Sequence, residues 1–290
     1  MAQATPRRFA PLNKTHGQQS DHPQLKGVIF DVDGTLCEPQ NHMFKEMRAV
    51  LGIPKSTDIL EHIYSLPQPS HQEEAMEAIR AIERRTMVQQ VAQPGLVDLM
   101  SYLDAQGLRK GICTRNFAQP VNHLLTKFLS GHDFAPIITR DFRPPKPDPA
   151  GLLHIARSWG LVRPIASPSS PLDTSHLLSN SNSSETQTSE AVGPSTTTPD
   201  PKTEGATEVG DASSLIMVGD SIDDMTAGRA AGAATVLLVN DANRHLADHA
   251  HTDLVIERLD ELIGHLERGF VGREVGVKGK GEGEGVDEGA

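Results

Sequence analysis

The sequence predicts an α/β protein: a doubly wound parallel sheet with a small all-helical domain inserted after the first strand. Three observations lead to this fold class. Short apolar and β-branched runs, typical of strands buried on both faces, recur along the chain. Amphipathic stretches at helical spacing alternate with them, which favours parallel strand pairing. Residues 39–93 carry helical patterns without a strand, which indicates a separate helical insertion.

The first buried strand starts at Gly27 and ends in Asp31 and Asp33, which flank a single valine. Burying two carboxylates at the end of a core strand is costly unless a cation or hydrogen bonds compensate them. Asp33 is followed by Gly34, and this dipeptide is also common in plain turns. The pattern alone therefore favours a plain turn as much as a functional site. The choice between them depends on whether other segments of the chain bring polar or charged side chains to these aspartates.

Three helices are expected in the insertion. Asn41 can cap the first, and a second short helix follows Ser56. Ser70, with Glu73 three residues later, has the pattern of a capping box at the start of the third.

The alternating pattern resumes at residue 94. Strands are expected at 109–114, 136–139, 214–220, 235–239 and 254–256, and helices at 94–105, 118–130, 150–159, 221–232 and 259–268.

Three segments have no core-forming pattern: a polar N-terminus, a stretch rich in serine, threonine and proline, and a glycine-rich tail. They cannot bury enough apolar surface to offset the entropy of ordering, so we predict that they are disordered. The predicted division is a disordered segment 1–23, an α/β core at 24–38 and 94–268, a helical cap at 39–93, a disordered insertion at 164–213 and a disordered tail at 269–290.

Composition limits the possible partners and compartments. The net charge of −11 over 290 residues argues against nonspecific binding to nucleic acid or to an anionic membrane. No apolar run approaches the length of a membrane span. The two cysteines, Cys37 and Cys113, are far apart and fit a reducing compartment, so we expect a cytoplasmic protein. Arg7, Arg8 and Lys14 precede the first acidic residue, which leaves a mitochondrial leader as the alternative.

Polar side chains follow three of the predicted strands, at the point where each strand ends. Ligands of doubly wound sheets bind at these carboxyl ends, so groups remote in sequence should converge there. A proline-rich loop at 140–149 adds a lysine to the same edge. The groups expected to converge are Asp31, Asp33, Thr114, Asn116, Lys146, Asp220 and Asp224.

Carboxylates and a lysine around one point favour a hard cation and an anionic substrate. Oxygen ligands favour Mg²⁺, and the absence of histidine and cysteine from the set argues against zinc. Lys146 would offset the repulsion between the carboxylates and a phosphate dianion. One aspartate could then attack phosphorus, and a second, two residues away, could protonate the leaving alcohol and activate water.

Residues 31–36, Thr114, Lys146 and residues 219–224 resemble, in order, the four signature motifs of the haloacid dehalogenase-like (HAD) hydrolases. The resemblance covers about 25–160 and 214–266 and implies a HAD-like, Rossmann-type core with a small helical cap. The strings around Thr114 and Lys146 are especially similar to plant and fungal HAD-like proteins without an assigned substrate.

The resemblance also implies a role for each site residue. Asp31 matches the nucleophile and Asp33 the general acid/base. Mg²⁺ would be held by Asp31, the main-chain carbonyl of Asp33, Asp220 and, directly or through water, Asp224. The transferring phosphoryl group would be bound by Thr114 and Lys146, with Arg115 and Asn116 close by. Arg115 could equally form a salt bridge with Asp141 or Asp148.

The expected function is a Mg²⁺-dependent phosphomonoester hydrolase that acts through an aspartyl-phosphate on a small phosphorylated metabolite. Asp33 favours phosphoryl transfer, since relatives that displace halide lack a carboxylate at that position. Two alternatives stay open: a sugar-phosphate mutase of the same superfamily, and a noncatalytic phosphate-binding or scaffold protein. No protein partner is assigned. A mutase would use cations of the cap, for which the candidates are Lys45, Arg48, Lys55, Arg80, Arg84 and Arg85.

Overall fold

The computed structural model describes residues 6–13, 20–164 and 208–273. Its centre is a six-stranded sheet in which every pair of neighbouring strands is parallel. The predicted parallel sheet is therefore confirmed. Its strands are β1 (Gly27–Phe30), β2 (Arg109–Cys113), β3 (Ile137–Ile138), β6 (Leu215–Gly219), β7 (Ala234–Leu238) and β8 (Leu254–Ile256). Across the sheet they lie in the order β3-β2-β1-β6-β7-β8.

Helices cover both faces of this sheet. Along β1, Val28 and Phe30 pack into the layer on one face, whereas Ile29 packs into the layer on the other. Because β1 pairs with both β2 and β6, the chain reverses its direction of winding beside β1, where such folds form their ligand crevice. The first face carries α4 (Leu96–Ala105), α5 (Ala118–Phe128) and α8 (Glu261–Arg268), and the second carries α6 (Ala150–Ser158) and α7 (Ile222–Ala231).

Between β1 and α4 the chain forms three helices, α1 (Asn41–Leu51), α2 (Ile59–Ser65) and α3 (Pro69–Met87), which we call the cap. These helices share a hydrophobic cluster of their own, built around side chains such as Met47, Ile63 and Ile79. None of the described helices, in the cap or in the core, has the length and hydropathy needed to cross a membrane.

Helix starts in the cap differ from two predictions. Asn41 is the first residue of α1 and does not cap it, since Gln40 holds that position. The capping box predicted at Ser70 is wrong, because α3 starts one residue earlier, at Pro69, and no side chain caps it. Proline is favoured in a first helical turn, where a missing N–H costs nothing.

Both predicted disordered ends contain packed residues. The rings of Phe9 and Phe270 lie 5.7 Å apart, and both side chains are buried. The Phe9 N–H donates to the Phe270 carbonyl, and Arg8 forms a bridge with Val271. Disorder is therefore the wrong prediction for 6–13 and 269–273, because these two stretches pack against each other. Residues 20–23 are mostly exposed, and the Ala10 N–H donates to the Pro23 carbonyl. The remaining terminal residues lie outside the described ones.

The segment predicted as a disordered insertion, 164–213, also contains residues with regular structure at both of its ends. A two-stranded antiparallel ladder of β4 (Val162–Pro164) and β5 (Glu208–Gly210) brackets residues 165–207, which lie outside the described residues. Just before β4, Trp159 packs against Gly27, the first residue of β1. The ladder therefore lies near the end of the sheet where β1 begins, and Asp31 is at the other end of that strand.

Candidate active site

Three carboxylates meet at the carboxyl ends of the two central strands. Asp31 directly follows β1, Asp220 directly follows β6, and Asp224 lies in the first turn of α7. One oxygen of each lies within 4.8 Å of the others. The pairing of Phe30 with Val218 in the sheet brings the two strand ends side by side.

Lys146 reaches this group from the proline-rich loop between β3 and α6. Its Nζ lies 2.7 Å from Oδ1 of Asp31 and also contacts Oδ1 of Asp224. Burial opposes the charge on Lys146, but Asp224 and Asp31 outweigh it and raise the pKa of the ammonium group. Burial raises the pKa of Asp31 while the charge on Lys146 acts in the opposite direction. The lysine therefore partly compensates a carboxylate that would otherwise be costly to ionise there.

The Asp224 carboxylate is fixed on both oxygens. Ser221 caps α7, and its N–H and Oγ–H donate to Oδ2 of Asp224 at 3.0 and 2.6 Å. Lys146 holds the other oxygen. This capping box was not predicted from the sequence, although Ser221 followed three residues later by Asp224 was its signal.

Asp220 lies in the most repulsive position of the three. Burial, followed by the charges of Asp224 and Asp31, raises its pKa well above the usual range. Asn243 donates from Nδ2 to the main-chain carbonyl of Asp220 at 2.7 Å and so fixes the turn. A donor set made only of carboxylate oxygens fits a hard divalent cation such as Mg²⁺, whose charge would relieve this crowding.

The side chain of Asp33 lies outside this group of three. Its Oδ1 accepts from the main-chain N–H of Gln40 at 3.3 Å and faces the Cys37 thiol at 3.9 Å. Burial and the neighbouring charge of Asp31 raise the pKa of Asp33 to about 7. A carboxyl group with such a pKa can both donate and accept a proton near neutral pH.

Thr114 and Asn116 form a buried turn after β2, the neighbour of β1. Thr114 lies two residues beyond Ile112, which pairs with Phe30. The Asn116 N–H donates to Oγ1 of Thr114 at 3.2 Å, and the Thr114 N–H donates to the Ile138 carbonyl. These contacts make the turn well suited to present its polar groups in fixed positions.

Arg115, between these two residues, pairs with partners that were not predicted. Its Nη1 lies 2.6 Å from Oδ2 of Asp223, and its Nη2 contacts Oδ2 of Asp58 in the cap. The salt bridge to Asp141 or Asp148, one of the two alternatives for Arg115, does not form, because the folded cap brings Asp58 to Arg115 and Asp223 takes its other terminal nitrogen. That proximity depends on the cap's orientation, which the sequence does not encode locally.

A buried ion pair that the sequence analysis missed joins the cap to the core. Arg140, at the end of β3, pairs with Glu83 of α3, and both side chains are almost fully buried. Burial raises the pKa of Glu83 to about 7, although Arg140 acts in the opposite direction. The signal was present: Glu83 occupies the apolar stripe of α3, next to Ile82 and four residues after Ile79.

The comparisons with known proteins agree with this architecture. A family profile described as haloacid dehalogenase-like hydrolase matches residues 25–169, and a second, HAD-hydrolase-like profile matches 203–262. The chain is 38% identical over 246 residues to "Uncharacterized hydrolase YOR131C" of Saccharomyces cerevisiae, covering 82% of this chain and 89% of the yeast protein. It is 35% identical over 148 residues to the haloacid dehalogenase-like hydrolase domain-containing protein At2g33255 of Arabidopsis thaliana, covering 48% of this chain and 59% of that protein.

Among solved structures, CbbY from Rhodobacter sphaeroides in complex with phosphate has the same fold. Its TM-score is 0.54 at 17% identity, over 82% of this chain and 96% of CbbY. Fold, family profiles and the yeast relative lead to one assignment. The chain belongs to the haloacid dehalogenase-like hydrolases.

Proposed function

We propose that this hydrolase is a Mg²⁺-dependent phosphomonoesterase that acts through an aspartyl-phosphate on a small phosphorylated metabolite. The contact between Lys146 and Asp31 carries the proposal. Lys146 compensates the charge of Asp31 beside Asp220 and Asp224. Two residues further along the chain is Asp33, whose pKa is raised to about 7 by burial and by the charge of Asp31.

Asp31 is the proposed nucleophile. Lys146 engages its Oδ1, which leaves Oδ2 to attack phosphorus. As the bond from Asp31 to phosphorus forms, the bond from phosphorus to the leaving oxygen breaks, and Asp33 gives that oxygen its proton. Asp33 then takes a proton from water, which attacks the aspartyl-phosphate and releases phosphate. The pKa of Asp33, about 7, suits both halves of this cycle.

The proposed Mg²⁺ ligands are Asp31, Asp220, Asp224 and the main-chain carbonyl of Asp33. When bound, the ion neutralises charge on the phosphoryl oxygens. The raised pKa of Asp220, which reflects its burial first and then the like charges of Asp224 and Asp31, supports a cation at this point.

Thr114, Asn116 and Lys146 are the proposed phosphoryl-binding groups. All three are buried at the carboxyl ends of the strands, and the CbbY structure of the same fold is a complex with phosphate. Arg115 has a less direct role in our proposal, because its two terminal nitrogens already pair with carboxylates.

The pairing of the cap's arginines favours hydrolysis over mutase chemistry. Arg80 and Arg84 pair with Glu73 and Glu77 of the same helix, and Arg85 pairs with Glu46 of α1. Three of the six candidate cations for a second phosphate are thus already neutralised within the cap.

A phosphatase panel tests the proposal. Purified protein with Mg²⁺ should release phosphate from at least one sugar phosphate, nucleotide, phosphoglycolate or phosphoamino acid. Asp31→Asn should abolish release, and the matched exchange Asp241→Asn, at a fully exposed position, should not. Isomerised product without free phosphate would instead identify a mutase. A folded, Mg²⁺-binding protein that leaves the whole panel intact would contradict the proposal and favour the noncatalytic alternative.

The cytoplasm is the proposed compartment. Cys37 and Cys113 are both free and buried, as expected for a protein in reducing surroundings. Localising the tagged full-length chain by microscopy tests this, and the mitochondrion is the alternative.

A further inference from the structure

Two arginines at neighbouring strand ends reach from the core into the cap. Arg115 follows β2 and pairs with Asp58, and Arg140 follows β3 and pairs with Glu83. The two arginines also touch, because Nε of Arg140 donates to the Arg115 carbonyl at 3.0 Å. The cap is therefore held at two adjacent points, one on α3 and one at the start of α2.

The two ties lie in very different surroundings. The side chains of Arg140 and Glu83 are 6% and 2% exposed, so opening this pair would leave the Arg140 guanidinium without its partner in a dry environment. The side chains of Arg115 and Asp58 are 28% and 31% exposed, where water and salt screen the attraction. The second pair is the one that can open at little cost.

Each partner of the exposed pair has a second contact that holds it in position. Oδ1 of Asp58 accepts from the Leu60 and Glu61 N–H groups at 2.9 Å and caps α2, so only Oδ2 is used for Arg115. On the core side, Asp223 holds Arg115 by its other terminal nitrogen. Because the Asp58 carboxylate and the Arg115 guanidinium are both held in orientation by other contacts, the ion pair can form again without a large loss of side-chain entropy.

We propose that the Asp58–Arg115 contact is a releasable latch that holds the cap over the catalytic site, with the Arg140–Glu83 pair as its fixed anchor. This rests on the proposed function only in so far as turnover requires the cap to admit substrate and release product. Arg115 is then a positioning residue that determines how long the cap stays shut.

The sharpest variant is Asp58→Asn, because an asparagine caps α2 as well as an aspartate but loses the charge. Glu46→Gln is the matched control: it neutralises another exposed cap carboxylate whose partner, Arg85, also belongs to the cap. Hydrogen–deuterium exchange of the amides at 55–66 is measured on metal-free protein, so the readout does not depend on activity.

We expect Asp58→Asn to speed this exchange by about two- to fivefold, the effect of losing one exposed ion pair. Raising NaCl from 0.05 to 0.5 M should speed exchange in the wild type and in Glu46→Gln but not in Asp58→Asn. Arg115→Met should match Asp58→Asn, and the double variant should add nothing further. Exchange that is unchanged in Asp58→Asn, or salt effects equal in all variants, would overturn the latch.

Turnover gives a second readout if the phosphatase proposal holds. Asp58→Asn should raise KM by a similar factor without lowering kcat, since the latch retains substrate and takes no part in the chemistry. A lower kcat at unchanged KM would contradict a positioning role. A protein without phosphatase activity would refute the proposed function and still leave the exchange experiment decisive for the latch.

Discussion

Gly34 lies directly against the carboxylate of Asp220. A Cβ atom on Gly34 would fall 2.1 Å from Oδ2 of Asp220, and the φ angle of Gly34 is 82°. Glycine is therefore required at position 34 for two reasons: the turn needs a positive φ angle there, and Asp220 occupies the space that a side chain would fill.

Gly34→Ala should disable the metal site more than the fold. The new methyl group must displace Asp220, and disturbing the support of a ligand typically lowers metal affinity by roughly 10–100-fold. Isothermal titration with Mg²⁺ measures this. Gly52→Ala is the control, because Gly52 has a φ of 67° but nothing within 4 Å of its Cβ position. Both variants should lose about 1 kcal/mol of stability to backbone strain, and equal Mg²⁺ affinity in the two would contradict the argument.

Mg²⁺ affinity should fall as the pH is lowered. The pKa of Asp220 is raised by burial and by its two acidic neighbours, and only the ionised carboxylate binds the metal. Below that raised pKa, affinity should drop by up to about tenfold per pH unit, and binding should release protons. Titrations in two buffers with different ionisation enthalpies detect the protons. Affinity that stays constant while the pH is lowered to the ordinary aspartate pKa of 3.8 would contradict the raised pKa of Asp220.

Asp33→Asn should slow hydrolysis of alkyl phosphates by roughly 10²–10⁴, the usual scale of general acid–base catalysis. The first step should survive with p-nitrophenyl phosphate, whose leaving group needs no proton, while the second step still lacks its base. A phosphorylated enzyme should therefore accumulate and be detectable by mass spectrometry after acid quenching. Asp31→Asn should give no such species, and an Asp33→Asn enzyme with full turnover of alkyl phosphates would refute the role of Asp33.

Glu83→Gln should flatten the dependence of stability on pH. The folded protein raises the pKa of Glu83 from 4.5 to about 7, so it binds more protons than the unfolded chain between these values. Wild-type stability should therefore fall as the pH rises from about 4.5 to 7, by on the order of 1–3 kcal/mol from this group. Urea unfolding at pH 5 and pH 7.5 measures the difference for both proteins. Equal differences would show that Glu83 stays ionised throughout.

The sequence predicted the parallel sheet because its apolar runs and helical periods are local signals. It also predicted that Asp31, Asp220 and Asp224 would meet at one edge of the sheet with Lys146, because the carboxyl ends of parallel strands lie together. Asp33 was expected in the same group, but its side chain faces Gln40 and Cys37 instead. It could not predict that Arg115 would choose Asp58 or that Phe9 would pack on Phe270. Those contacts join segments far apart in the chain, and which partner is chosen depends on the assembled geometry. The prediction of a capping box at Ser70 was wrong because Pro69, which is favoured in a first helical turn, is the residue at which the helix begins.

The bridge between Arg8 and Val271 places the two ends of the described chain side by side. Residues 164 and 208 also lie next to each other, as partners in the ladder of β4 and β5. A circular permutant that links residue 273 to residue 6 and opens the chain between residues 164 and 208 would therefore keep every strand pair of the main sheet. Its new termini would lie near the start of β1, at the opposite end of the strands from Asp31.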